Sequence, residues 1–143
     1  MPGKLFIRRR DGRVEVRLND AGREVIRQIF AHVVAAERDP THDWHVALLA
    51  PINPSSDDDD PLSTLARQNE IATNAELSIM TLNEQFLNDA EAWAWLSTLQ
   101  VGLRSMAVVN GILSDERLEA CDRALLEDIR TIQQLLFELA ACF

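Results

Sequence analysis

From Asp89 to Ile112 the chain reads DAEAWAWLSTLQVGLRSMAVVNGI, and Ala92, Leu96, Leu99, Leu103, Met106 and Asn110 recur at intervals of four, three, four, three and four. That spacing draws one face of an α-helix. Trp95, Val101 and Val108 lie off this seam, so the helix is apolar around much of its circumference and belongs in the middle of a bundle. Asn88 or Asp89 is the expected N-cap, Glu91 suits the exposed N–H groups of the first turn, and Asn110-Gly111 marks the end. Trp93 and Trp95 read as packing side chains rather than as an aromatic binding site.

Helical patterns flank this stretch on both sides. After an Asn19 or Asp20 cap, GREVIRQIFAHVVAAER is expected to run to about Arg38, burying Val25, Ile29, Phe30, Val33 and Ala36. His32 falls beside that face, and Asp39-Pro40 ends the helix. A short helix, DWHVALLA, stops at Pro51, and the proline- and acid-rich loop over 51–61 follows. A longer helix after Pro61 carries Leu62, Leu65, Ala66, Asn69, Ala72, Glu76, Ile79 and Met80 at helical spacing, with a break between Thr81 and Asn88. The last helix, from about Glu116, has a stripe of Leu118, Cys121, Leu125, Ile129, Ile132, Leu136 and Leu139, widened by Leu126, Leu135 and Phe137. A stripe of that width predicts a central place in the fold or a subunit interface, hence a homodimer.

The N-terminus changes period from about 3.6 to 2. Lys4–Arg10 and Arg13–Leu18 read as two strands joined by Asp11-Gly12 as a two-residue type I′ turn. That loop sets Arg8 opposite Glu15 and Ile7 opposite Val16, with Leu5, Ile7, Val14, Val16 and Leu18 on the buried face and Arg8, Glu15 and Arg17 on the other. An isolated hairpin is marginal in water, so it must dock on the bundle or extend another sheet. The expected fold is mainly α: a bundle of about five helices with an N-terminal β-hairpin over 4–18, forming one domain over 1–143. A chain of 143 residues can bury a core of that kind unaided.

Charge is distributed unevenly. Residues 1–27 hold eight basic and four acidic side chains, a net +4, whereas the rest holds six basic and nineteen acidic ones, a net −13. An acidic body argues against nucleic acid wrapped along the whole surface, while the basic hairpin leaves a local contact open. Arg8, Arg9, Arg10, Arg13 and Arg17 are the candidate DNA-binding residues, as a β-ribbon on phosphates or guanine edges. The other reading pairs the basic patch with acids of the same or a neighbouring subunit.

No segment reaches the roughly 20 apolar residues of a membrane span, and no apolar stretch follows the N-terminal basic residues as in a secretory signal; a cytoplasmic protein is expected. GxGxxG, P-loop, GxSxG and HExxH patterns are missing, and no cofactor is implied. His42 and His45 are too few for a metal site, and Asp57–Asp60 lack the alternate spacing and glycine of a calcium loop. The reactive candidates are Cys121 and Cys142, about 31 Å apart by rise if one helix holds both, which excludes an internal disulfide on that helix. The expected protein is therefore not an enzyme.

The RRRDGRVEVRL segment at Arg8–Leu18, the amphipathic helix after it, the proline- and acid-rich loop, Trp93–Leu96 and Gly111-Ile112 together resemble the actinobacterial family catalogued as domain of unknown function 2017. The resemblance implies a transcriptional regulatory protein linked to the oxidative-stress response, with DNA, a sigma factor or RNA polymerase as partners. An adaptor without DNA contact is the alternative. The family's redox members place a cysteine pair near the N-terminus, where this chain has Gly3 and Arg13, so that thiol switch does not carry over.

Overall fold

The computed structural model of the chain describes residues 4–49, 61–111 and 122–143. It is mainly α, with five helices among the described residues and an N-terminal hairpin in an open sheet. The elements run β1 (Phe6–Arg8), β2 (Val14–Val16), α1 (Asp20–Arg38), α2 (His45–Leu49), α3 (Pro61–Met80), β3 (Phe86–Leu87), α4 (Asp89–Val109) and α5 (Arg123–Ala140).

Local capping chemistry sets the helix starts. Asn19 caps α1 by accepting from the Gly22 N–H at 2.8 Å. Asn88 and Glu91 form a reciprocal capping box at α4, each side chain bonded to the other's backbone N–H at 2.8 Å, which satisfies two of the amides a helix start leaves without partners. Asp122 caps α5 through the Ala124 N–H. The last described helix thus starts at Arg123, and the expected start near Glu116 lies outside the described residues. Cys121 lies outside the described residues, and the rise along one helix no longer sets its distance from Cys142.

α4 packs against each of the other four helices, as its nearly all-round apolar surface requires. Its buried residues are Ala92, Ala94, Trp95, Leu96, Thr98, Leu99, Gly102 and Ser105. The expected seam is thus rotated: Trp95 becomes its centre, Leu103 and Met106 are half-buried, and Asn110 is the exposed C-cap. On α1 the buried face is Ile26, Ile29, Phe30, Val33 and Ala36, with Ile26 taking the place expected of Val25. The stripe expected on α3 is reversed. Leu62 and Met80 are 80% and 78% exposed, while Ala75 and Ser78 are buried, because this helix approaches α4 through small side chains.

A third strand, β3, pairs antiparallel with β2, so the sheet has the order β1-β2-β3. Leu87 enters the core, and Val16 N–H donates to the Gln85 carbonyl at 2.8 Å. The hairpin therefore docks by both routes at once. Its inner face meets the core, and its β2 edge gains a partner from the α3–α4 connection, within the same chain.

Candidate functional site: the outer face of the sheet

The hairpin turn decides where every arginine points. Gly12 N–H donates to Arg9 O at 3.1 Å and Arg9 N–H to Arg13 O at 2.8 Å, with Gly12 at φ +92°. No residue other than glycine has positive φ among those described, which excludes the type I′ turn, since that turn needs positive φ at Asp11 as well. The loop is instead Arg10-Asp11-Gly12, a turn closed by a left-handed glycine. One extra loop residue shifts the register to Phe6↔Val16, Ile7↔Glu15 and Arg8↔Val14. A slip of one exchanges the faces of one strand relative to the other. Phe6, Val14 and Val16 are consequently the buried face, in place of the expected set with Leu5 and Ile7, which are half-buried.

Arg8 moves with that correction. It shares the face of Val14 rather than that of Glu15, and its guanidinium reaches Asp89 at 2.6 Å, in the first turn of α4. The outer face carries Arg9, Arg13 and Arg17, all exposed, around Glu15, which is only 5% exposed. Glu15 accepts from Arg17 and pairs with Arg9 at 3.0 Å. The Arg17 hydrogen bond is the main reason its carboxyl is held below the ordinary value, and burial opposes it. Arg13 pairs with Asp11 at 2.7 Å and lies 4.3 Å above the Phe86 ring centroid, a cation–π placement. The Arg13 hydrogen bonds lower the Asp11 carboxyl likewise. Arg10 is exposed at the turn, and no ion pair of its own occurs among the described residues.

This end of the molecule therefore presents Arg9, Arg10, Arg13 and Arg17 against Asp11 and Glu15, four cations to two anions. The Arg13–Asp11 pair, about half exposed at both partners, is worth about 0–1 kcal/mol, so exchanging Asp11 for a phosphate there costs little, whereas Glu15 stays buried between Arg9 and Arg17. Phe86 and the β3 pairing were not legible beforehand, since a two-residue strand shows no alternation.

Cys142 is half-buried against the β1 side of α5, its thiol donating to the Glu138 carbonyl at 3.6 Å. Burial pushes that thiol up, with the Arg8 and Lys4 charges opposing, so its reactive thiolate fraction is below that of an ordinary cysteine. Among the histidines, His42 Nδ1 accepts from the Trp44 N–H at 3.1 Å and His45 Nδ1 lies 2.6 Å from the Ala36 carbonyl. The His32 ring sits 5.0 Å from Trp44. These contacts tie α2 to α1. No group of three or more metal-ligating side chains occurs among the described residues, and no described helix is long and apolar enough to cross a membrane.

A second constellation has no signature in the sequence. Arg67 on α3 and Arg104 on α4, 37 positions apart, line one cleft of about 240 Å³ together with Trp93.

Fold and site define a small helical bundle that carries a basic three-stranded sheet face. No family model, curated protein or solved structure matches the chain.

Proposed function

We propose that this protein is a non-catalytic transcriptional regulator, acting in the cytoplasm, whose sheet face contacts DNA. The observation that carries the reading is the set of exposed guanidiniums of Arg9, Arg13 and Arg17 on one face, with Arg10 at the adjoining turn. Such a face suits phosphates spaced along a backbone. The link to oxidative stress rests on the family resemblance alone, and so does a sigma factor or RNA polymerase as a further partner.

The adaptor reading, without DNA contact, is favoured by a different observation. Four of the five candidate arginines already have carboxylate partners within the chain, namely Asp11, Glu15 and Asp89. Homodimerisation belongs to the same group of proposals. Ile129, Ile132, Leu135 and Leu139 of the α5 stripe are buried within the chain, leaving Phe137 exposed. Sedimentation equilibrium at micromolar concentration separates dimer from monomer.

Fluorescence anisotropy with a labelled duplex tests the DNA reading. Three phosphate contacts predict affinity falling about 40-fold between about 50 and about 200 mM salt, and an Arg9/Arg13/Arg17→Ala variant losing most of that dependence. Absence of binding by the wild-type protein at the lower salt gives the adaptor reading preference.

A further inference from the structure

We propose that the cleft between α3 and α4 binds a small organic anion, a carboxylate or phosphate group on a compact apolar body. This is independent of the sheet face, which lies elsewhere on the molecule and reads a polyanion.

The anionic end follows from the two guanidiniums. Arg104 is half-buried, and its Nη2 donates to the carbonyls of Ala47 and Leu48 at 3.0 and 3.2 Å. Those bonds at the end of α2 hold the guanidinium in one orientation, so little side-chain freedom is lost when a ligand arrives. Burial first, and the like charge of Arg67 second, lower its affinity for the proton. Two cations lining one partly enclosed space raise the local positive potential, and an anion that enters offsets both penalties. Glu70 also lines the cleft, one helical turn from Arg67, and is exposed. Both arginines have other partners within the chain, and the ligand adds to these or exchanges with them.

The apolar body follows from the remaining wall. Trp93, 52% exposed and edge-on to Phe143 at 6.0 Å between centroids, lines the cleft beside Ile71, Val101 and Leu48. At about 240 Å³ the space is below the usual range for drug-sized ligands, which starts at roughly 300 Å³, so only a compact molecule fits. Asn74, Ser97, Thr98 and Gln100 complete the lining, so the wall offers hydrogen-bonding groups beside its apolar surface. A peptide or duplex does not fit this volume, whereas a molecule the size of benzoate does.

The full chain is titrated with benzoate, phenyl phosphate, inorganic phosphate and neutral benzamide at constant ionic strength, following the Trp93 indole resonance by NMR. Saturable binding of benzoate or phenyl phosphate, with no comparable binding of benzamide, is expected; the tighter of the two names the head group. Arg67→Gln and Arg104→Gln should each weaken it roughly tenfold or more, the loss of one charge-assisted contact. Arg104 also anchors α2, so Arg67→Gln and Trp93→Ala, at partly exposed positions, provide the test should Arg104→Gln not fold. The proposal is overturned by absence of saturable binding of both organic anions, by benzamide binding equally, or by unchanged affinity in Arg67→Gln. Inorganic phosphate binding as tightly as phenyl phosphate would remove the apolar wall from the site and overturn the proposal too.

Discussion

The indole N–H of Trp95, a fully buried residue, donates to the Thr81 hydroxyl at 2.8 Å, and that hydroxyl donates in turn to the Leu77 carbonyl. Its ring meets Phe30 and Phe6 edge-on, at 5.4 and 6.4 Å between centroids. One side chain thus joins α4, α1, β1 and the end of α3. Thr81→Val keeps the shape but leaves a buried N–H without its acceptor, and should cost about 1–3 kcal/mol in urea unfolding with the slope unchanged. Trp95→Phe removes the same donor, so the double variant should lose less than the sum of the two single losses.

Glu15 gives a prediction in pH at the same scale. Its folded-state carboxyl titrates below the ordinary value, chiefly through Arg17. Its contribution is therefore present above the unfolded carboxyl's pKa of about 4.3 and disappears as pH falls through the lower folded value. Glu15→Gln should be less stable than the wild type near pH 7, and the difference should shrink as pH falls below the ordinary carboxylate range, in urea midpoints measured across that range. Parallel curves for the two proteins would show that the Arg9–Glu15–Arg17 cluster contributes nothing to folding.

At the scale of elements, the crossing of α4 over α1 depends on Gly102. A Cβ built there would lie 2.5 Å from Ile29 Cγ2, closer than two carbons can approach. Gly102→Ala must push the helices apart or displace Ile29. It should destabilise by about 1–3 kcal/mol, although alanine is the better helix former; a neutral or stabilising result in thermal unfolding would mean that the interface yields freely. The hairpin is governed by its turn in the same way. Gly12 supplies the left-handed residue, and Asp11 accepts from the Arg13 N–H at 3.0 Å. Both Asp11-Gly12 and the strand alternation were legible in the sequence. The loop length was not, because two- and three-residue loops use the same glycine, and the choice lies with the packing of Phe6 against Trp95.

For the whole molecule, the governing feature is separation of charge, with a basic sheet end on a chain of net charge −9. Reversing the two arginines that do not pair with Glu15, Arg10 and Arg13→Glu, should sharply weaken duplex binding while leaving the fold intact, since both are exposed and the Arg13–Asp11 pair is solvent-exposed at both partners. Circular dichroism and anisotropy on the same sample check both parts. Duplex binding that survives the reversal would place the contact elsewhere.

Helical periodicity, caps and punctuation are local properties, which is why α1, the start and end of α4 and the all-round apolar character of α4 could be read from residues alone. The arginine-rich hairpin was legible for the same reason. Which face of α3 turns inward, which residue lies opposite Arg8, the existence of β3 and the meeting of Arg67 with Arg104 are set by contacts between segments far apart in the chain. Spacing along one segment carries no record of those contacts. They arise only when Trp95, Gly102 and the small side chains of α3 bring the helices to their packing distances, and the positions of the charged groups follow from that packing.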